Sequence, residues 1–194
     1  WDLRNSESEK GVFPTFFDLL DILPGVIEES HYSKDTQSDY VGALCTRVKS
    51  LTNGIYGSVL CAEDALSDAE MFDQNVIVDL SRVGSMETKS LLMGILVMKL
   101  QEYRMCSSGM NSRLRHVTVL EEAHNLLRKT SAEQSQEGAN LQGKSVEMLA
   151  NAIAEMRTYG EGFIIADQAP GLLDMSVIRN TNTKIILRLP DEED

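Results

Sequence analysis

Hydrophobic spacing in the first part of the chain predicts a small, mostly helical subdomain over residues 1–72. Thr15 precedes the apolar run FFDLLDIL and has an aspartate three residues later, which indicates the start of a helix that ends at Pro24. Apolar residues at helical spacing predict a second helix over residues 39–51. Residues 55–61 fit either a short strand or a loop, and the polar residues after them fit a partly helical connection.

Strand and helix patterns alternate in the second part, residues 73–194. Ser85 is expected to cap a long helix that runs to Met105, and residues 146–158 form a second amphipathic pattern. Strand–helix repeats of this length imply a mostly parallel sheet covered by helices, so the predicted fold class is α/β. Short apolar, β-branched runs predict the strands at residues 76–80, 117–120, 163–166 and 184–189.

Composition and charge narrow the possible functions. The chain is 42% hydrophobic and 25% charged, which is typical of a globular protein, and its formal net charge is −12. A protein that binds nucleic acid over its outer surface needs a basic face there. The negative net charge therefore argues against nucleic-acid binding on the outer surface, although a few basic residues could still line a channel.

Cysteine usage and apolar run length bear on the compartment. Three cysteines without a CxxC pair indicate neither a disulfide framework nor a zinc site, and they fit a cytoplasmic location. The longest apolar run, residues 91–98, is too short to span a bilayer, and no signal peptide is recognisable. Because the chain opens at Trp1 and stops directly after a strand pattern, we expect a piece of a longer protein with upstream sequence missing.

An acidic pair follows the predicted strand 117–120 directly. Glu121 and Glu122 would lie at the carboxyl end of that strand, where open α/β sheets bind their ligands. A nucleotide-hydrolysing site needs such a pair, because one carboxylate holds Mg²⁺, usually through water, and the other polarises the attacking water. The same two residues also fit a solvated pair at the start of a surface helix over residues 121–127.

A second motif, at residues 138–145, matches the phosphate-loop pattern GxxxxGK[ST]. Its mechanism requires backbone N–H groups held between a buried strand and a helix. Residues 130–137 contain no apolar run, so the preceding strand is missing from the pattern. We therefore predict a chance match in which Lys144 starts a helix, although a lysine on a loop could still contact DNA or a neighbouring subunit.

Two further side chains fit a hydrolytic site. Gln168 stands just past the strand 163–166. If that strand lies beside 117–120, its amide can hydrogen-bond the attacking water or the γ-phosphate. Arg157 ends the preceding helix, where a guanidinium can reach a neighbouring subunit's γ-phosphate as an arginine finger. The alternatives are a turn residue for Gln168 and a favourable charge at a helix C-terminus for Arg157.

His124 and Arg47 carry weaker signals. His124 follows the acidic pair, but no HExxH motif accompanies it, so a polar or structural role is predicted rather than a metal ligand. Arg47 fits an interface residue, but a solvated helix charge is the preferred interpretation.

Three ordered motifs point to a family. With LEEAHNLL, MRTYGEGFIIADQAP and TKIILRLPDEED in this order, the chain resembles the HerA–FtsK superfamily of hexameric ATPases. It looks closest to the HerA branch and its relatives among conjugative-secretion ATPases. The likeness covers residues 75–194 well and the helical first third more loosely.

The resemblance implies roles for individual residues. Glu121 corresponds to the magnesium-organising acid and Glu122 to the catalytic base of the Walker B motif. Gln168 matches the sensor glutamine, and Arg157 the arginine finger. The implied cofactors are ATP and Mg²⁺, and the implied partners are DNA in the channel of a homo-hexameric ring and a nuclease or secretion machinery.

The chain also departs from the family pattern. Aspartate is more common than glutamate at position 121, and Asp167 and Ala169 replace the usual neighbours of the sensor glutamine. Nothing in residues 1–75 supplies the Walker A loop. The resemblance therefore implies the C-terminal part of a RecA-like P-loop core, residues 73–194, preceded by a helical, lid-like insertion, and we expect this piece alone to be inactive.

Two other functions remain open. A catalytically inactive scaffold would use the same fold only to assemble with partners. The sequence EEAH also suits one half of a DExH-type helicase, although the SAT-like segment expected after the acidic strand is not visible.

Overall fold

The computed structural model describes residues 14–62, 66–129 and 138–187, with side chains in the last range from residue 145 onward. The chain divides into two compact units, residues 1–65 and 66–194. The observed boundary after residue 65 comes earlier in the chain than the predicted boundary after residue 72. The segment up to Phe72 belongs to the second unit because the Phe72 side chain packs in that unit's hydrophobic core.

The first unit contains three helices: α1 (Phe16–Glu28), α2 (Lys34–Thr52) and α3 (Gly54–Leu60). α2 packs against both α1 and α3. The predicted start of α1 is confirmed, because the backbone N–H of Thr15 donates to Asp18 Oδ2 at 2.6 Å in a capping box. The helical character predicted for this part of the chain is therefore confirmed in its described residues.

Three local predictions in this unit are wrong. α1 does not end at Pro24 but continues to Glu28, because its buried residue, Ile27, lies beyond the proline. α2 begins before residue 39, since Ser33 caps it by accepting a hydrogen bond from the backbone N–H of Thr36 at 3.3 Å. Residues 54–60 form α3 rather than a strand or a loop.

The second unit combines helices with a small parallel sheet. Its elements are α4 (Asp68–Phe72), α5 (Met86–Ser107), β1 (His116–Glu121), α6 (Gly138–Met156), β2 (Glu161–Ala166) and α7 (Met175–Asn180). β1 and β2 pair in parallel, with His116 opposite Glu161 and Glu121 opposite Ala166. The predicted parallel pairing of these two strands, connected through a helix, is confirmed.

Two predicted strands are absent from the sheet in the described part of the chain. Residues 75–80 and 183–187 form no ladder with β1 or β2, and residues 188 and 189 lie outside the described range. Ile77 is 94% exposed and Ile186 is 83% exposed. The β-branched pattern identified apolar runs here, but a strand also requires a paired neighbour, which these residues lack.

The core of the second unit lies between the sheet and helices α5, α6 and α7. The described residues cover only one face of the sheet: Leu120 is buried there, whereas Val117, Val119 and Ile164 on the other face are exposed. The buried core cluster consists of Phe72, Met93, Val97, Leu100, Leu120, Ala123, Leu126, Leu127, Ala150, Met156, Leu173 and Val177.

A helix that crosses a bilayer needs about 20 consecutive, mostly apolar residues. Among the described residues, no helix combines the length and the apolar character that crossing a membrane demands.

Candidate functional site

The acidic pair lies where β1 ends. Glu121 is the last residue of β1, and Glu122 turns the chain into a 3-10 turn, Ala123–Asn125. Glu122 adopts a left-handed backbone conformation, with φ 51° and ψ 45°. Such a conformation costs a non-glycine residue roughly 1–2 kcal/mol, and residues of this kind cluster at functional sites. Both carboxylates are exposed, and half of the Glu122 side chain is accessible to solvent.

Gln168 follows the neighbouring strand at the same edge of the sheet. Glu121 pairs in register with Ala166, so the residues after each strand leave the sheet side by side. Gln168 is exposed, like the two glutamates. The register therefore brings the acidic pair and the glutamine to the carboxyl edge of one parallel strand pair, which is the edge where α/β proteins bind ligands.

A buried carboxylate, Asp167, connects the two turns at this edge. Its side chain is 4% exposed, and its Oδ2 atom accepts the backbone N–H of His124 at 2.8 Å. The His124 ring Nδ1 lies 3.0 Å from the same oxygen, and the other oxygen accepts the backbone N–H of Ala169 at 2.8 Å. His124 Nε2 faces Glu122 Oε2 at 3.7 Å. The polar role predicted for His124 is confirmed.

The partnership of Asp167 and His124 was not predicted. In the sequence, Asp167 is marked only by its departure from the usual neighbours of a sensor glutamine. That departure does not identify His124, which is 43 residues away in the chain, as its partner.

Arg157 lies apart from the acidic pair. It belongs to a 3-10 turn, Arg157–Tyr159, that precedes β2, and its side chain is exposed. β2 begins opposite His116, the first residue of β1, so Arg157 is at the amino edge of the strand pair. A strand of six residues is roughly 20 Å long. Within this chain, the structure does not bring Arg157 to the glutamates.

The phosphate-loop match has a helical backbone. Residues 138–145 all belong to α6, Gly138–Met156. The whole match therefore lies within one continuous helix, and its backbone does not form the loop between a strand and a helix that wraps a phosphate. Lys144 lies in a helix but does not start it as predicted, because α6 begins at Gly138. Arg47 is exposed on α2, as expected for a solvated charge.

A second charged cluster lies at the amino edge of the sheet and is buried. Glu161 is 1% exposed and receives a hydrogen bond from Arg104 Nε at 2.8 Å and from Thr118 Oγ1 at 2.7 Å. His116 Nδ1 lies 2.8 Å from the same carboxylate. Since every partner contacts Glu161 on the core face of the sheet, this cluster anchors the sheet to α5.

Asp73 extends this cluster towards the surface. The Tyr103 hydroxyl donates to Asp73 at 2.5 Å and Arg104 donates to it at 2.6 Å; these hydrogen bonds, the one from Tyr103 above all, lower the pKa of Asp73. Burial lowers the pKa of Arg104, but hydrogen bonds to Asp73 and Glu161 outweigh it and raise the pKa overall. Arg104 therefore contributes a positive charge to this buried cluster.

A metal ion held by protein side chains alone would need several ligands close together. Among the described residues, no group of three or more His, Cys, Asp or Glu side chains could hold a metal ion. Mg²⁺ commonly binds one or two carboxylates and completes its shell with water and substrate phosphates. The exposed carboxylate of Glu121 fits this open kind of magnesium site.

Chemically, the carboxyl edge offers two exposed carboxylates, an amide and an oriented imidazole. Such groups can hold a hydrated divalent cation and orient a water molecule for attack.

Comparison of the chain with protein-family models, with curated proteins and with solved structures found no match.

Proposed function

We propose that this chain provides the acidic, water-activating half of an ATP-hydrolysis site in a ring-forming motor of the HerA–FtsK kind. Its second unit would be part of a RecA-like core, and hydrolysis would be coupled to moving or remodelling DNA. One observation supports the proposal: in the parallel pair Glu121 is in register with Ala166, so Glu122 and Gln168 both follow the strands at the same edge of the sheet, the edge at which α/β proteins bind ligands. The left-handed conformation of Glu122 adds support, because such strain is concentrated in functional sites.

In this proposal each side chain has one task. Glu121 would hold Mg²⁺, which neutralises charge on the phosphate oxygens when it is bound. Glu122 accepts a hydrogen bond from the attacking water and directs its lone pair at the γ-phosphate. The exposed amide of Gln168 donates to the γ-phosphate or holds the same water, so that it reports the state of the nucleotide.

Arg157 fits the proposal only as a residue that acts on a neighbour. Its exposed guanidinium lies at the opposite edge of the strand pair, so it contacts γ-phosphate across a subunit boundary or not at all. A homo-hexameric ring provides such boundaries, and its central channel would admit DNA past local basic residues despite the overall negative charge.

The decisive experiment is ATP hydrolysis by the natural full-length protein with and without DNA. Glu122→Gln is expected to lower the rate by roughly 10²- to 10⁴-fold while ATP still binds, because a general base contributes about that factor. Glu147→Gln, an exposed glutamate on α6, is the matched control. Lys144→Ala is expected to change little, since Lys144 lies within a helix. Hydrolysis at the wild-type rate by Glu122→Gln would overturn the proposal.

A scaffold without ATPase activity is the second candidate. The observation that favours it is the apolar sheet face that the described residues leave uncovered, where Val117, Val119 and Ile164 are exposed, because parallel sheets are normally covered on both faces. An intact hexamer that binds its partners but hydrolyses no ATP would support the scaffold and exclude the motor.

A further inference from the structure

We infer that Asp167 is a positioning residue that fastens the turn after β1 to the turn after β2 and so holds Glu122 and Gln168 in place. This inference rests on the proposed function, because its kinetic consequence requires that Glu122 act on a bound nucleotide. The structural part, the fastening of the two turns, can be tested without any activity.

Both oxygens of the Asp167 carboxylate are engaged, and the donors come from two different turns. Oδ2 accepts the backbone N–H of His124 at 2.8 Å, which belongs to the turn that Glu122 begins. Oδ1 accepts the backbone N–H of Ala169 at 2.8 Å, which directly follows Gln168. A buried carboxylate that accepts several N–H groups makes strong, charge-assisted hydrogen bonds. The carboxylate thus sets the separation of the two turns.

The imidazole of His124 completes the connection. Its Nδ1 atom lies 3.1 Å from Oδ1 and 3.0 Å from Oδ2 of Asp167. Because an ionised carboxylate only accepts hydrogen bonds, Nδ1 must carry the proton, and Asp167 thereby selects the tautomer and orients the ring. The opposite nitrogen, Nε2, then faces Glu122 Oε2 at 3.7 Å.

Other contacts keep the two segments together when this connection is removed. Further along the chain, the backbone N–H of Lys129 donates to Leu172 at 2.8 Å, and that of Asp174 donates to Leu127 at 2.9 Å. Leu127 is fully buried. A variant at Asp167 is therefore expected to fold and to lose only the alignment of the catalytic turns.

The kinetic test compares variants of the full-length ATPase. Asp167→Asn is expected to lower kcat by roughly 10- to 100-fold with little change in KM, the size of effect seen when a group that orients a catalytic residue is removed. His124→Asn, whose amide can replace Nδ1 as the donor to Asp167, is expected to retain more of the rate than His124→Gln. Asp79→Asn, which affects a similar turn bond to Ser81 elsewhere, is the control and should leave the rate unchanged.

The structural test measures amide hydrogen exchange and histidine nitrogen NMR spectra on this 194-residue chain. Asp167→Asn is expected to speed exchange at His124 and Ala169 together and to remove the Nδ1-protonated signal of His124. Unchanged exchange at both amides would overturn the inference, whatever the activity. Faster exchange with an unchanged kcat would overturn the positioning role. If Glu122→Gln itself hydrolyses ATP normally, the proposed function fails and exchange alone decides whether Asp167 fastens the turns.

Discussion

At the scale of single residues, Arg104 and Glu161 form a buried ion pair, with Arg104 Nε 2.8 Å from Glu161 Oε2. Both residues are at most 4% exposed, and Arg104 also donates to the carbonyl of Phe72. We predict that Arg104→Met lowers the free energy of unfolding by about 3–5 kcal/mol, because it leaves the Glu161 charge buried without its main partner. Urea unfolding measures this, with the exposed Arg82→Met as control, for which a change within about 0.5 kcal/mol is expected.

Asp73 makes the same cluster sensitive to acid. Its pKa is lowered in the folded protein by the hydrogen bond from Tyr103 and then by Arg104. A lowered pKa means that the carboxylate stabilises the fold above its ordinary pKa of 3.8, and that this contribution disappears as the pH falls through the lowered value.

We therefore predict that wild type and Asp73→Asn differ in stability at pH 6 and converge as the pH falls below 4. The difference should be about 1 kcal/mol or less, since the side chain is 45% exposed and its charge is screened. Tyr103→Phe should reduce the same difference. Urea unfolding at a series of pH values tests this, and a gap that widens towards low pH would contradict it.

At the scale of secondary-structure elements, replacing two helical glycines of the first unit by alanine is predicted to have opposite effects on stability. A Cβ atom at Gly25 in α1 would meet nothing within 4 Å, whereas one at Gly57 in α3 would lie 2.0 Å from the carbonyl oxygen of Thr52. Gly25→Ala should stabilise α1 by about 0.5–1 kcal/mol through reduced chain entropy. Gly57→Ala should destabilise by about 1–3 kcal/mol, because the backbone of Thr52 must move. Thermal unfolding of both variants decides this, and equal shifts would contradict it.

The elements also show how far the sequence alone could predict this fold. α5 and β1 were predictable because their signals are local: Ser85 caps the helix through the backbone N–H of Thr88 at 3.3 Å, and a β-branched run defines the strand. Residues 75–80 carry the same apolar signal and form no strand. Strand formation depends on a neighbour elsewhere in the chain, which local periodicity does not encode.

The candidate site, like the fold, could be predicted from the sequence only in part. Glu121, Glu122 and Gln168 could be predicted to share an edge, because parallel strands end on the same side and each residue follows a recognisable strand. The contact between His124 and Asp167 spans 43 residues and depends on the register of β1 against β2 and on the turn that Glu122 makes. A left-handed glutamate is not foreseeable from composition, since this conformation is imposed by its surroundings.

At the scale of the whole molecule, the two units differ in how much apolar surface they bury. Every residue of the core cluster, from Phe72 to Val177, belongs to the second unit. In the described part of the first unit, the buried residues of α1 and α2 are Ile27 and Thr52, while Ile55 and Val59 on α3 are 79% and 67% exposed. Burial of apolar area is the main source of folding stability. We therefore expect the first unit to be the less stable of the two.

We predict that the chain unfolds in two steps, with the first unit unfolding at the lower urea concentration. Circular dichroism should show two transitions, and amide exchange should be slowest in α5, β1 and α6, where the core residues lie. Two variants show which unit unfolds in which transition. Gly25→Ala should raise the urea midpoint of the lower transition only, and Arg104→Met should reduce the midpoint of the upper transition only. A single transition that both variants shift would contradict the prediction, because it would mean that the helices of the first unit and the core of the second unfold as one cooperative body.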